Sequence, residues 1–146
     1  MTTLTRPEAH LDRTLLRRPD YQAFLLLRTA FTVAPIVFGL DKFVDGLTDW
    51  AQYLAPSIDR LVPGSAHQAM LAVGVVEVLA GLLVAVRPHL GGYVVAAWLA
   101  GIVGNLLLLQ DFYDVALRDL GLLLAAIALA RLAGTFRGRR LRGTPA

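Results

Sequence analysis

The residues with chemistry to offer are polar side chains set within or at the ends of long apolar runs: Arg28, Lys42, Glu77, Asn105, Arg118 and Asp119. An ionised group at bilayer depth costs several kcal/mol unless it is paired or hydrated, so each of these must belong to a pair, a register device or a site. Leaving aside Arg131 at the inner end of the last run, the charges inside the runs, Arg28, Glu77, Arg118 and Asp119, sum to zero. At 1.5 Å rise per residue, Arg28 lies roughly 11 Å and Glu77 roughly 14 Å from the inner ends of their runs. Matched depth and opposite charge predict a cross-helix pair between them. Asp119 and Asn105 fall in outer halves, where Lys42 reaches inward along its flexible stem, which predicts a second polar group. Arg118 lies about 100° around the helix from Asp119 and is expected to snorkel to the outer headgroups or to pair with Asp114. Two uses follow. The pairs orient the helices and fix their register. Alternatively Arg28, Glu77, Asn105, Asp119 and Lys42 line a polar cavity for a quinone head group, a proton or a small solute, with Phe24, Phe31, Trp98 and Tyr113 around it. Periodicity alone does not separate the two.

Other chemistries lack their residues. Without cysteine there is no thiolate nucleophile, disulfide or iron–sulfur ligation. Of the three histidines, His10 lies in a polar arm and His67 and His89 stand about 30 Å apart at opposite ends of one run, so no metal site is expected. The excess of basic residues comes from arginines near the two ends of the chain, which fits membrane topology rather than nucleic-acid binding.

The elements that must position these residues are transmembrane helices. The chain has 146 residues, of which 56% are apolar. Four runs are long enough to cross the hydrocarbon core with few charges, three at most, in each: about 21–40, 67–86, 90–109 and 115–132. The expected fold is therefore all-α, an integral membrane four-helix bundle. Pro35 kinks the first span and frees the carbonyl of Phe31. Residues 1–20 form an arginine-bearing N-terminal arm without the apolar core and cleavage site of a signal peptide, and 134–146 a basic tail. The long connection from Asp41 to Ala66 is acidic, and Phe43, Leu47, Trp50 and Leu54 recur at helical spacing. That predicts an outer interfacial amphipathic helix with Trp50 and Tyr53 at headgroup level. Ala97 and Gly101 have the spacing that lets helices approach closely, so the third span is expected inside the bundle. Arginines on one side and aspartates on the other place both termini in the cytoplasm, in a multi-pass protein of the inner (plasma) membrane.

Several segments resemble the DoxX family of small four-helix bacterial membrane proteins. They are Arg28 leading the first span, Val37 to Phe43 closing it, Trp50 to Pro56 in the loop, Glu77 to Leu83 in the second span and Asp114 to Leu122 in the fourth. The resemblance implies association with a quinone or a membrane redox complex. The chain departs from thiosulfate chemistry in having no cysteine to take up sulfane sulfur. What the resemblance implies first is an accessory or anchoring subunit of a quinone-linked redox complex, with partners among the other subunits and the lipid bilayer. The alternative is a quinone-linked oxidoreductase or a small proton or solute transporter using the intramembrane charges. Whether the chain is an enzyme stays open at this stage. A quinone is the one cofactor contemplated, and none is expected to be covalently bound.

Overall fold

The computed structural model of the chain describes residues 16–61 and 63–142, the stretch from 138 onward by main chain only. Residues 1–15 of the N-terminal arm and 143–146 of the tail lie outside the described residues. All regular structure among the described residues is helical: α1 (Pro19–Asp41), a single-turn 3-10 helix (Trp50–Tyr53), a one-turn α2 (Pro56–Asp59), α3 (Ala66–Val86), α4 (Pro88–Leu109) and α5 (Tyr113–Arg142). Helices α1, α3 and α4 are each long and apolar enough to cross a bilayer. α5 runs on without a break through the segment expected as a tail.

Local sequence sets the boundaries. Pro19 and Pro88 open α1 and α4, where their missing N–H would have had no helical partner anyway. Ser65 and Gln68 close a reciprocal capping box at the start of α3. Gln110 ends α4 in the left-handed region, φ 58°. Arg87 alone separates α3 from α4, which makes a tight hairpin of the two.

The most extensive packing is between α4 and α5 and between α1 and α3, so the molecule is built from two helical hairpins, joined at Arg87. Glycines set how closely the first pair approaches. A Cβ built on Gly39 would lie 2.6 Å from the carbonyl oxygen of Gly74, one on Gly74 would lie 2.6 Å from that of Gly39, and one on Gly81 would lie 2.7 Å from that of Thr32. The backbones themselves are in contact, which only residues without side chains permit. This seam fixes the register: Thr32 lies opposite Gly81 and Gly39 opposite Gly74, a step of seven along one helix matched by seven back along the other. Gly92 plays the same part in the second pair, against Ala126 and Ala130. The core lies where the hairpins meet and includes Phe24, Phe31, Val84, Val95, Ala126 and Leu129.

Two expectations are corrected. The segment from Phe43 to Leu54 is no continuous helix: the chain turns at Asp45, φ 48°, and Gly46, and only Trp50–Tyr53 is wound. Asp41 accounts for this, since its carboxylate accepts the backbone N–H of Leu47 at 3.1 and 3.2 Å and so diverts a donor that a helix would need. Ala97 and Gly101 do not face the interior either. Both are exposed, as is Gly104, and a Cβ on Gly101 or Gly104 would meet nothing within 4 Å.

Candidate functional site

The end of the molecule at which α1 stops and α3 starts holds a buried polar cluster. Lys42, the residue after α1, turns inward and donates to Glu77 of α3 at 2.7 Å. Lys42 is 3%, Glu77 9% and Asp119 of α5 6% exposed. Gly74 makes the approach possible, since it is the small residue over which the Lys42 stem passes. The ammonium also stands 3.6 Å from the ring centroid of Trp50, whose π face attracts the cation. Asp119 and the indole N–H of Trp98 both act electrostatically on the Glu77 carboxylate. The Trp98 nitrogen is buried and has no acceptor in hydrogen-bonding geometry. Arg118, its side chain 67% exposed, bends back to Asp119 with Nε 3.2 Å from Oδ1. Two cations therefore meet two carboxylates, and the cluster is neutral when all are ionised.

The loop between α1 and α3 covers this cluster. Trp50 is held by its indole N–H, which donates to Asp41 at 2.8 Å. Asn105 of α4 accepts the backbone N–H of Ala55 at 2.9 Å and donates to the carbonyl of Tyr53, so one side-chain amide replaces two partners the irregular chain cannot supply itself. Tyr53 packs on Phe112, ring centroids 4.7 Å apart, which ties the loop to the turn between α4 and α5.

The sequence-predicted residues thus divide into three groups. Lys42, Glu77 and Asp119 come together. Asn105 braces the loop from α4. Arg28 belongs to neither, and the expected Arg28–Glu77 pair is not formed. Arg28 instead donates to the backbone carbonyl of Ala85, in the last turn of α3, where helical carbonyls have no intrahelical donor. Eight residues, about 12 Å of helix, separate Ala85 from Glu77. Of the aromatic residues expected around the site, Trp98 is beside Glu77, Phe24 and Phe31 are in the apolar core and Tyr113 is exposed. Asp41, which holds the loop by accepting from Leu47 and Trp50, is the residue whose part sequence reasoning missed. Its signal is an acid at the end of a helix, followed by an Asp-Gly pair.

Two hollows are present among the described residues, and neither is lined by Lys42, Glu77 or Asp119. One, about 270 Å³, is lined by Leu25, Arg28, Thr29, Thr32, Val33 and Ala85. The other, about 190 Å³, is apolar and lies between Leu40, Phe43, Val75, Val78 and Leu79. Among the described residues no group of His, Asp and Glu is arranged to hold a metal ion. No family model matches the chain, and no curated protein and no solved structure matches it.

Proposed function

We propose that the chain is an accessory or anchoring subunit of a membrane redox complex, a four-helix bundle related to the DoxX family. Both termini face the cytoplasm and the loop between α1 and α3 faces outward. The observation that carries this reading is the closure of the polar cluster. Lys42, Glu77 and Asp119 are sealed under Trp50 and the loop that Asn105 pins, as suits a brace between helices. The exposed small residues Ala97, Gly101 and Gly104 leave a face of α4 on which a neighbouring helix can approach closely. The link to quinone-dependent redox chemistry rests on the resemblance of the quoted segments. The orientation rests on Arg87, Arg131 and Arg137 at one end, against Asp45, Asp49 and Asp111 at the other.

Purification in mild detergent from native membranes tests the reading. A stoichiometric redox partner is expected, and Ala97→Leu with Gly101→Leu should release it without lowering the thermal stability of the isolated chain. Purification of the chain without any such partner refutes the proposal.

A second reading, transfer of protons across the membrane, draws on the two buried carboxylates Glu77 and Asp119, which act on one another, with the Trp98 N–H beside Glu77. It requires proton flux into dye-loaded proteoliposomes that Glu77→Gln abolishes. Flux indistinguishable from empty vesicles removes it.

A further inference from the structure

We infer that the groove around Arg28 is a binding site for the phosphate of an anionic phospholipid in the inner leaflet. The inference rests on the membrane orientation proposed above and is independent of the redox assignment.

The depth of Arg28 follows from the helix register. The glycine seam that sets Thr32 opposite Gly81 carries Arg28 to Ala85, four residues back on one helix and four on along the other, and the hydrogen bond between them agrees. Ala85 is one residue short of the end of α3, so Arg28 stands beside the Arg87 turn rather than at mid-membrane. The residues of α1 before Arg28 accordingly extend past the inner end of α3. They meet the equally extended end of α5 there: Phe136 packs on Tyr21 and on Phe24, ring centroids 5.3 Å apart in each pair. Arg28 is thus at the level where the headgroups of the inner leaflet begin.

The chemistry of the groove suits an anion with a hydrocarbon tail. A guanidinium carries five N–H donors, and Arg28 uses one nitrogen, Nη2, on Ala85. Among the described residues no carboxylate lies within salt-bridge distance of it. Arg28 lines the hollow of about 270 Å³ together with Thr29 and Thr32, with the apolar Leu25 on its headgroup side and Val33 on its bilayer side. A planar fork with two neighbouring threonines suits a phosphate, and Val33, about 7.5 Å deeper along α1 than Arg28, offers an apolar surface to an acyl chain. The Ala85 carbonyl holds the guanidinium in place before any ligand arrives. A glycerophospholipid with net negative charge satisfies all of these groups at once; a free phosphate satisfies only the polar ones.

The test uses the full-length protein, reconstituted in nanodiscs of nine parts phosphatidylcholine to one part phosphatidylglycerol and released for native mass spectrometry. The wild type is expected to retain one phosphatidylglycerol in preference to phosphatidylcholine. Arg28→Gln should lower that retention about tenfold, the scale of one charge-assisted contact. Arg28→Lys, which keeps the charge and loses the fork, should fall between them. Thr32→Val should weaken retention without disturbing α1, and so covers the case in which Arg28→Gln fails to fold. Arg87→Gln, which removes a nearby surface charge, should leave retention within about twofold. Equal retention by wild type and Arg28→Gln overturns the site, as does an equal loss in Arg87→Gln. Thermal stabilisation by inorganic phosphate that depends on Arg28, without preference for phosphatidylglycerol, overturns the lipid as ligand. Resistance of each variant to carbonate extraction is read alongside, so that failure of membrane insertion is told apart from failure of the site.

Discussion

Replacing Lys42 by alanine leaves Glu77 beside Asp119 with no cation in contact, and replacing Glu77 leaves the ammonium under Trp50 without its carboxylate. Each single change is expected to cost about 3–5 kcal/mol unless water enters or the remaining group neutralises, while Lys42→Met with Glu77→Leu should recover most of the loss. A double-mutant cycle on thermal unfolding in detergent measures this, and a coupling of zero would show that the pair contributes nothing. The corresponding cycle on Arg28 and Glu77 should be additive within about 0.5 kcal/mol, because the two do not touch. The polar residues themselves are legible in the sequence, since charge inside an apolar run cannot be incidental. Their pairing is not. Depth counted from the start of an apolar run assumes that both helices begin at the same membrane plane, and α1 begins well before the plane at which α3 ends. Lys42 is legible as a polar residue at the end of the first apolar run, but its hydrogen-bond partner is Glu77, because the one-residue hairpin and the glycine contacts that fix depth leave no mark in hydrophobicity.

At the scale of elements, the long helices can be read from apolar length and from proline, glycine and capping residues, whereas the faces they present cannot. Gly74 and Gly101 look alike in the sequence and differ in their surroundings. Gly74→Ala pushes a methyl group against the Gly39 carbonyl and should destabilise the protein by about 1–3 kcal/mol. Gly101→Ala meets nothing and should be stabilising by about 0.5–1 kcal/mol, through the lower entropy of the unfolded chain. Opposite signs in thermal melts of the isolated protein are the expected outcome, and equal effects would contradict the pairing of Gly39 with Gly74 across the seam. The interfacial helix fails as an expectation because the helical spacing of Phe43, Leu47, Trp50 and Leu54 is outweighed by the Asp45-Gly46 turn between them. Asn105→Ala bears on the same loop. It deprives Ala55 N–H and Tyr53 C=O of their partner, should cost about 1–3 kcal/mol, and should speed amide hydrogen exchange over residues 50–55 more than in α3. Unchanged exchange there would mean that other contacts hold the loop.

For the whole molecule, the absence of cysteine makes single-cysteine labelling clean. A cysteine at Asp49 should react with an impermeant reagent added outside intact cells, and one at Arg137 only after permeabilisation; the reverse pattern would invert the topology. The ion pair also bears on how the molecule is made. Lys42 and Glu77 are 35 residues apart along the chain. At about 5–20 residues per second, the carboxylate leaves the ribosome roughly two to seven seconds after the ammonium. During that interval α1 has an outer end that only water or lipid phosphate can satisfy, and its glycine seam has no helix to lie against. Arrival of α3 supplies the carboxylate and the matching glycines together, so the clasp closes in one event rather than by gradual annealing. A stall in translation between the two residues therefore prolongs the one stage at which the nascent first helix is open to membrane proteases.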